Sequence, residues 1–190
     1  MMNLLRLFHP APSLGNGPAR LHTDGAIWTE NKPGQPGMGQ ALTGLAAIAR
    51  DADGRICHWW KRQAGPMTNN EAEYAAAILG LEELHTLGVR EVEVYTDSQV
   101  MVDQMQGLAR VNAPNLRMPH AQLRALVASF RRVKFYHIPR EHNQLADALA
   151  NEALEGLPWQ AFERQPGNRR VGETVAPHRQ ARRRSYGAFP

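Results

Sequence analysis

Two apolar runs, Leu42–Arg50 and Arg55–Arg62, are separated only by Asp51-Ala52-Asp53-Gly54, and Thr68-Asn69-Asn70-Glu71 follows shortly after. Asp-Gly between apolar runs supplies the left-handed turn that a tight hairpin needs. Thr68 with Glu71 three residues later is a capping box, which opens a helix. Behind it Tyr74, Ala77, Ile78, Leu81 and Leu84 recur at helical spacing, and Gly88 ends the run. The middle of the chain is therefore a meander that feeds a capped helix.

The flanks extend this pattern. Arg20–Asp24 reads as a short strand ending in Asp24-Gly25. Residues 29–39, with Pro33-Gly34 and Pro36-Gly37, read as a loop. Glu91–Asp97 alternates as a strand. Ser98 caps a short helix that runs to Gln106 and Gly107. Pro119–Arg131 reads as a helix, Arg132–Ile138 as a strand and Asn143–Leu154 as a last helix. The order β-β-β-α-β-α-α-β-α predicts an α/β fold in which helices cover the faces of a mixed sheet.

This block occupies residues 20–157 of 190. Residues 1–19 read as a flexible leader, since Met1–Phe8 is too short and too interrupted for a secretory signal. Residues 158–190, rich in Pro and Gly and poor in aliphatics, read as a disordered tail. Hydrophobic residues make up 43% of the chain, enough for a core without staples. The single cysteine, Cys57, excludes a disulfide framework and any cysteine-rich zinc module. No apolar run reaches the roughly 18 residues of a membrane span. A cytoplasmic monomer is the expectation. The net charge of +4 is uneven: residues 159–190 hold seven Arg against two Glu, while the rest holds 15 basic and 16 acidic residues. A cationic tail on a near-neutral body points to a polyanionic partner.

Four carboxylates stand where chemistry could use them. Asp24 ends the first strand, although Asp-Gly is also turn chemistry. Glu73 borders the buried stripe of the capped helix, where an unpaired carboxylate is costly. Glu71 already serves the helix N-terminus. Asp97 lies at the carboxyl end of a strand, where open α/β sheets bind ligands, and Ser98 is equally able to cap the helix. Asp147 shares a helix face with Asn143. Four oxygen ligands without a cysteine or histidine cage suit Mg²⁺ or Mn²⁺. To this point the residues permit metal-dependent phosphoryl transfer without demanding it.

Thr23-Asp24-Gly25-Ala26, Thr68-Asn69-Asn70-Glu71-Ala72-Glu73, Thr96-Asp97-Ser98-Gln99 and Arg140-Glu141-His142-Asn143-Gln144-Leu145-Ala146-Asp147 together resemble type I ribonuclease H, in the family's order and across residues 20–155. The resemblance implies the ribonuclease H-like fold, a five-stranded mixed sheet made of an antiparallel meander plus βαβ units. It implies hydrolysis of the RNA strand of RNA–DNA hybrids, giving 5′-phosphate and 3′-hydroxyl ends. Two Mg²⁺ ions, or Mn²⁺, would be held by Asp24, Glu73, Asp97 and Asp147. Gly25, Ala26, Asn69, Asn70 and Gln99 would contact the substrate, which could extend to double-stranded RNA.

The chain also departs from the family's bacterial prototype. The loop before the last aspartate is compact, and His142 is the residue placed to take over the histidine role found there. The basic protrusion is missing, since Leu108–Pro119 carries only Arg110 and Arg117. The arginines of the tail (Arg169, Arg170, Arg179, Arg182, Arg183, Arg184) are the expected substitute for its phosphate contacts. His58-Trp59-Trp60 invites reading as a nucleic-acid platform, but strand alternation makes one Trp core and one surface. The competing functional reading is a catalytically weak nucleic-acid-binding accessory module of the same fold.

Overall fold

The computed structural model describes Leu14, Gly15, residues 17–29 and residues 41–154. The arginine tail, most of the leader and the Pro-Gly segment at 30–40 lie outside the described residues. The chain forms β1 (Ala19–Thr29), β2 (Ala41–Arg50), β3 (Ile56–Ala64), α1 (Asn69–Thr86), β4 (Glu91–Thr96), α2 (Gln99–Gln106), α3 (Pro114–Val127), β5 (Arg132–His137) and α4 (Gln144–Leu154). A single 3₁₀ turn, Arg140–His142, precedes α4.

The five strands form one sheet in the order β3-β2-β1-β4-β5. β1, β2 and β3 pair antiparallel, whereas β1–β4 and β4–β5 pair parallel. This is the expected mixed sheet. The hairpin forms at Asp51–Gly54, where the Gly54 N–H donates to Asp51 O at 3.0 Å and Gly54 takes φ +83°.

Side-chain alternation then sorts residues to two faces. Leu21, Ala47, Ala49, Val92, Val94 and Phe135 pack under Tyr74, Ala77, Leu81 and Leu84 of α1, together with residues of α2 and α3. Leu14, in the predicted leader, packs against the same core. The opposite face carries α4, which lies over β1, β2 and β3. Its contact side is alanine (Ala146, Ala150, Ala153), so the helix backbone rests almost directly on the strands. A Lys61 Nζ–Glu152 Oε1 contact of 2.7 Å ties its far end to β3.

Three local expectations are corrected. β1 continues four residues past Asp24-Gly25 rather than ending there, because Gly25 pairs with Leu45 inside the ladder. α3 begins at Pro114 rather than Pro119. A proline at the first helical position costs nothing, and Pro119 is carried inside the helix at the loss of one backbone hydrogen bond. Trp59 and Trp60 are both half-buried, with Trp60 packed against the core and His58 stacked on it at 5.7 Å. Among the described residues, no helix is long and apolar enough to cross a membrane.

Candidate active site

The site forms where two parallel strands part. β1 and β4 pair from Ala19↔Val92 to His22↔Tyr95 and no further. Beyond that point Asp97 follows the carboxyl end of β4, and Asp24 lies midway along β1, where β1 has parted from β4 but still pairs with β2. Glu73 reaches the same gap from α1. The capping box explains why Glu73 is available: Glu71 is spent on Thr68, accepting from its backbone N–H at 2.8 Å, while Thr68 Oγ1 accepts from Glu71 N at 3.4 Å. Ser98 likewise caps α2, accepting from the Met101 N–H at 3.4 Å, which leaves Asp97 free.

Each of Asp24, Glu73 and Asp97 offers one carboxylate oxygen in a group whose members all lie within 4.8 Å of one another. Asp24 is only 5% exposed. Burial, and then the neighbouring Asp97 and Asp147, push its pKa up to about 7. Burial, and then Asp24 and Asp97, push Glu73 up to about 8, although Thr96 Oγ1 donates to Glu73 Oε2 at 3.2 Å and the Gly25 N–H supports it. Like charges gathered in a poorly hydrated pocket resist ionisation unless a cation joins them. Hard oxygen donors crowded in this way fit a divalent cation of the Mg²⁺ or Mn²⁺ class.

A family model described as reverse transcriptase-like matches residues 34–153. The bifunctional protein Rv2228c of Mycobacterium tuberculosis is 38% identical over 129 residues, which make up 67% of this chain and 34% of that protein. The chain thus spans about a third of the length of that relative. The crystal structure of RNase H1 from the archaeon Halobacterium salinarum is similar at a TM-score of 0.61 and 36% identity, covering 73% of this chain and 98% of that one. LC11-RNase H1, solved in complex with an RNA/DNA hybrid, gives 0.61 and 35% identity, with 72% and 96% covered.

The chain belongs to the ribonuclease HI family.

Within this ribonuclease HI-type domain the fourth predicted carboxylate, Asp147, stands near the trio but outside it. It is half-buried and held by Arg140, whose Nη2 lies 2.6 Å from Asp147 Oδ1. Arg140 is largely exposed, and its guanidinium also favours ionisation of Asp24. Asn143 is the buried organiser of this corner, at 2% exposure. Its Nδ2 donates to Thr23 O at 2.9 Å and to Asp97 Oδ1 at 3.4 Å, linking α4's N-terminus to β1 and to the end of β4.

The remaining predicted positions are placed as follows. Gly25 and Ala26 border the trio on β1, and Gly25 supports Glu73 through its N–H. Asn69 and Asn70 are exposed in the first turn of α1. Gln99 is exposed on α2 and donates to Asp103 Oδ1 at 2.6 Å, an i,i+4 contact. His142 is exposed in the 3₁₀ turn beside Arg140. Arg140 and Asn143 were visible in the sequence motif without a role. Arg140 had one available signal, as the cation seven residues before the last carboxylate. For Asn143 the reach across 120 residues to Thr23 left none.

Proposed function

We propose that this protein is an RNA–DNA-hybrid endoribonuclease. The observation that carries the reading is the group of Asp24, Glu73 and Asp97 oxygens within 4.8 Å, set where β1 parts from β4, beside the backbone of Gly25 and Ala26. Family membership and a relative solved with an RNA/DNA hybrid support the substrate. Asp24, Glu73 and Asp97 would hold a divalent cation, and Asp147 would help hold a second. When bound, such ions supply positive charge to the scissile phosphate.

The chain's own contribution is placement. β1 and α1 hold Asp24 and Glu73 together against their repulsion. Asn143 orients Asp97. The Gly25–Ala26 backbone, Asn69, Asn70 and Gln99 are proposed to read the 2′-hydroxyl side of the hybrid, the feature that separates RNA from DNA. His142 is proposed as the proton-handling group at the exposed rim.

The test is cleavage of a labelled RNA–DNA hybrid beside single-stranded RNA, double-stranded RNA and DNA duplex, with Mg²⁺, Mn²⁺ or EDTA. Cutting of the hybrid's RNA strand to 5′-phosphate ends, lost in EDTA, is expected. Tight hybrid binding without cutting would overturn the enzymatic reading and leave a binding module.

Arg140 provides a second check. As an exposed ion pair, Arg140–Asp147 should contribute no more than about 1 kcal/mol to stability. Its larger effect should be on a polyanion approaching four carboxylates. Arg140→Ala should lower kcat/KM on the hybrid about tenfold, which corresponds to losing roughly one charge-assisted hydrogen bond. The melting temperature should move by only a few degrees, and Arg140→Lys should recover part of the rate. An unchanged kcat/KM would confine Arg140 to a surface pair.

A further inference from the structure

β1 outlasts its pairing with β4. From Thr23 to Thr29 it is bonded to β2 alone, and the register runs unbroken to Thr29↔Ala41. A two-stranded ribbon therefore projects past the carboxylates. Side chains alternate along it, so Asp24, Ala26 and Trp28 leave the same face. Trp28 lies about 13 Å beyond Asp24, at roughly 3.3 Å per residue of strand. It is 45% exposed, and its indole has neither a ring partner nor a hydrogen-bond partner among the described residues.

Exposed apolar side chains are ordinary when scattered. Here they gather. Of the seven large hydrophobics exposed among the described residues, Ile27, Trp28, Val100 and Leu145 stand within four positions of Asp24, Asp97 or Asp147. The ribbon also carries no charged side chain from Gly25 to Thr29 or from Ala41 to Ala46, so it has nothing with which to grip phosphate. An uncharged arm bearing an indole suits the sugars and base edges inside a groove.

Size decides whether a substrate reaches it. A single nucleic-acid-binding module covers about 600–1,000 Å² of protein, a round patch roughly 14–18 Å in radius. Centred on the carboxylate trio, such a patch takes in Trp28 whichever way the duplex lies. Duplex types differ in the groove they offer. The minor groove of B-form DNA is about 6 Å wide, too narrow for an indole carried on a ribbon whose strands are about 4.8 Å apart. The A-form minor groove is wide and shallow and displays the 2′-hydroxyls.

We infer that Trp28 is a specificity-determining contact: its indole enters the wide minor groove of the hybrid, against the ribose faces, and is shut out of the narrow groove of a DNA duplex. The ring supplies apolar area, and its N–H is a donor for a 2′-hydroxyl. The inference rests on the proposed hybrid substrate.

The test measures binding of an intact labelled hybrid, and of a DNA duplex, to protein in which Asp24→Asn slows cleavage. Trp28→Ala and Trp28→Phe are added to that background and, separately, to the otherwise unchanged chain. Hybrid binding should shift the tryptophan emission to the blue as the indole leaves water, and Trp28→Phe should abolish that shift. Trp28→Ala should weaken hybrid binding about tenfold and DNA binding less than about twofold. In cleavage it should raise KM by a similar factor and leave kcat in place. Trp28→Phe, which keeps a ring and loses the N–H, should lose only about threefold. The melting temperature should barely move, since the side chain removed is exposed. Unchanged hybrid affinity in Trp28→Ala, an emission shift that survives Trp28→Phe, or an equal loss on the DNA duplex would overturn the inference. A wild-type protein that binds the hybrid but cuts none would overturn the proposed activity instead, and the emission and affinity measurements would still decide the role of Trp28.

Discussion

Asp24→Asn should reduce hybrid cleavage by roughly a thousandfold or more, the scale on which losing one group that stabilises transition-state charge is felt. The same change should make the cation-free protein more stable above pH 7. Both effects follow from one arrangement. Asp24 is buried and faces Glu73 and Asp97, and it pays for that position with a pKa raised to about 7, as Glu73 does at about 8. In the unfolded chain such groups titrate near 4. Below about pH 4 both states are protonated and the pair costs nothing. Between about pH 4 and 8 the folded state holds more protons than the unfolded state, so stability falls as pH rises. Above about pH 8 the cost is fully present.

The melting temperature of the cation-free protein should therefore drop between pH 5 and 8, by an amount equivalent to a few kcal/mol. Mg²⁺ should restore much of it, because an ion that binds only the folded state stabilises that state. Asn at position 24 carries no charge at any pH. It removes its own share of the slope and relieves Glu73, whose pKa Asp24 helps to raise. Melting curves across pH with and without Mg²⁺, run beside cleavage assays, test both halves. A variant that keeps its activity would remove Asp24 from the reacting centre. A pH slope identical to wild type would mean that the three carboxylates do not repel one another as their spacing implies.

Most of the framework was legible because it is local. The Asp53-Gly54 hairpin, the Thr68/Glu71 box and the Ser98 cap each depend on residues within a few positions of one another, and each formed as read. The caps also explain why Glu73 and Asp97 could be singled out: Glu71 and Ser98 serve the helix ends, and that leaves their acidic neighbours without a local task.

What was not legible is set by contacts distant in sequence. The interaction of Asn143 with Thr23 and Asp97 depends on where α4 crosses the sheet, and no periodicity reports that. Trp59 and Trp60 alternate by strand rule, yet β3 is an edge strand, and both rings are only half covered, with Trp60 packed against the core and α4 reaching β3. The turn-like appearance of Asp24-Gly25 hid the continuation of β1. Glycine stands there for lack of space against α1, which has no signature in the local sequence.

That lack of space gives the second large effect. A Cβ at Gly25 would lie 2.5 Å from the backbone carbon of Ala72, 2.6 Å from its Cβ and 2.8 Å from its carbonyl oxygen. The obstacle is helix backbone, which no rotamer change can move. Gly25 is not among the residues with positive φ, so the requirement is steric and not conformational. Gly25→Ala must push α1 off β1, and Glu73 is the residue next to the point of contact. Overpacking of this kind costs about 1–3 kcal/mol, and more where backbone must shift. A displacement of about 1 Å at a reacting centre can cost a hundredfold in rate.

Gly25→Ala should therefore lower the melting temperature and, at temperatures where it remains folded, cut the hybrid at least about a hundredfold more slowly. Gly54→Ala separates strain from site geometry. Position 54 has φ +83° and open space around it, in the hairpin far along the chain from Glu73. That variant should lose about 1 kcal/mol of stability, as alanine does in a left-handed position, with its cleavage rate unchanged. If Gly25→Ala behaves like Gly54→Ala, destabilised but fully active, then the close seat of α1 on β1 is not what holds Glu73 beside Asp24. If only Gly25→Ala loses rate beyond its loss of stability, the missing Cβ at position 25 is part of how the fold brings two mutually repelling carboxylates together.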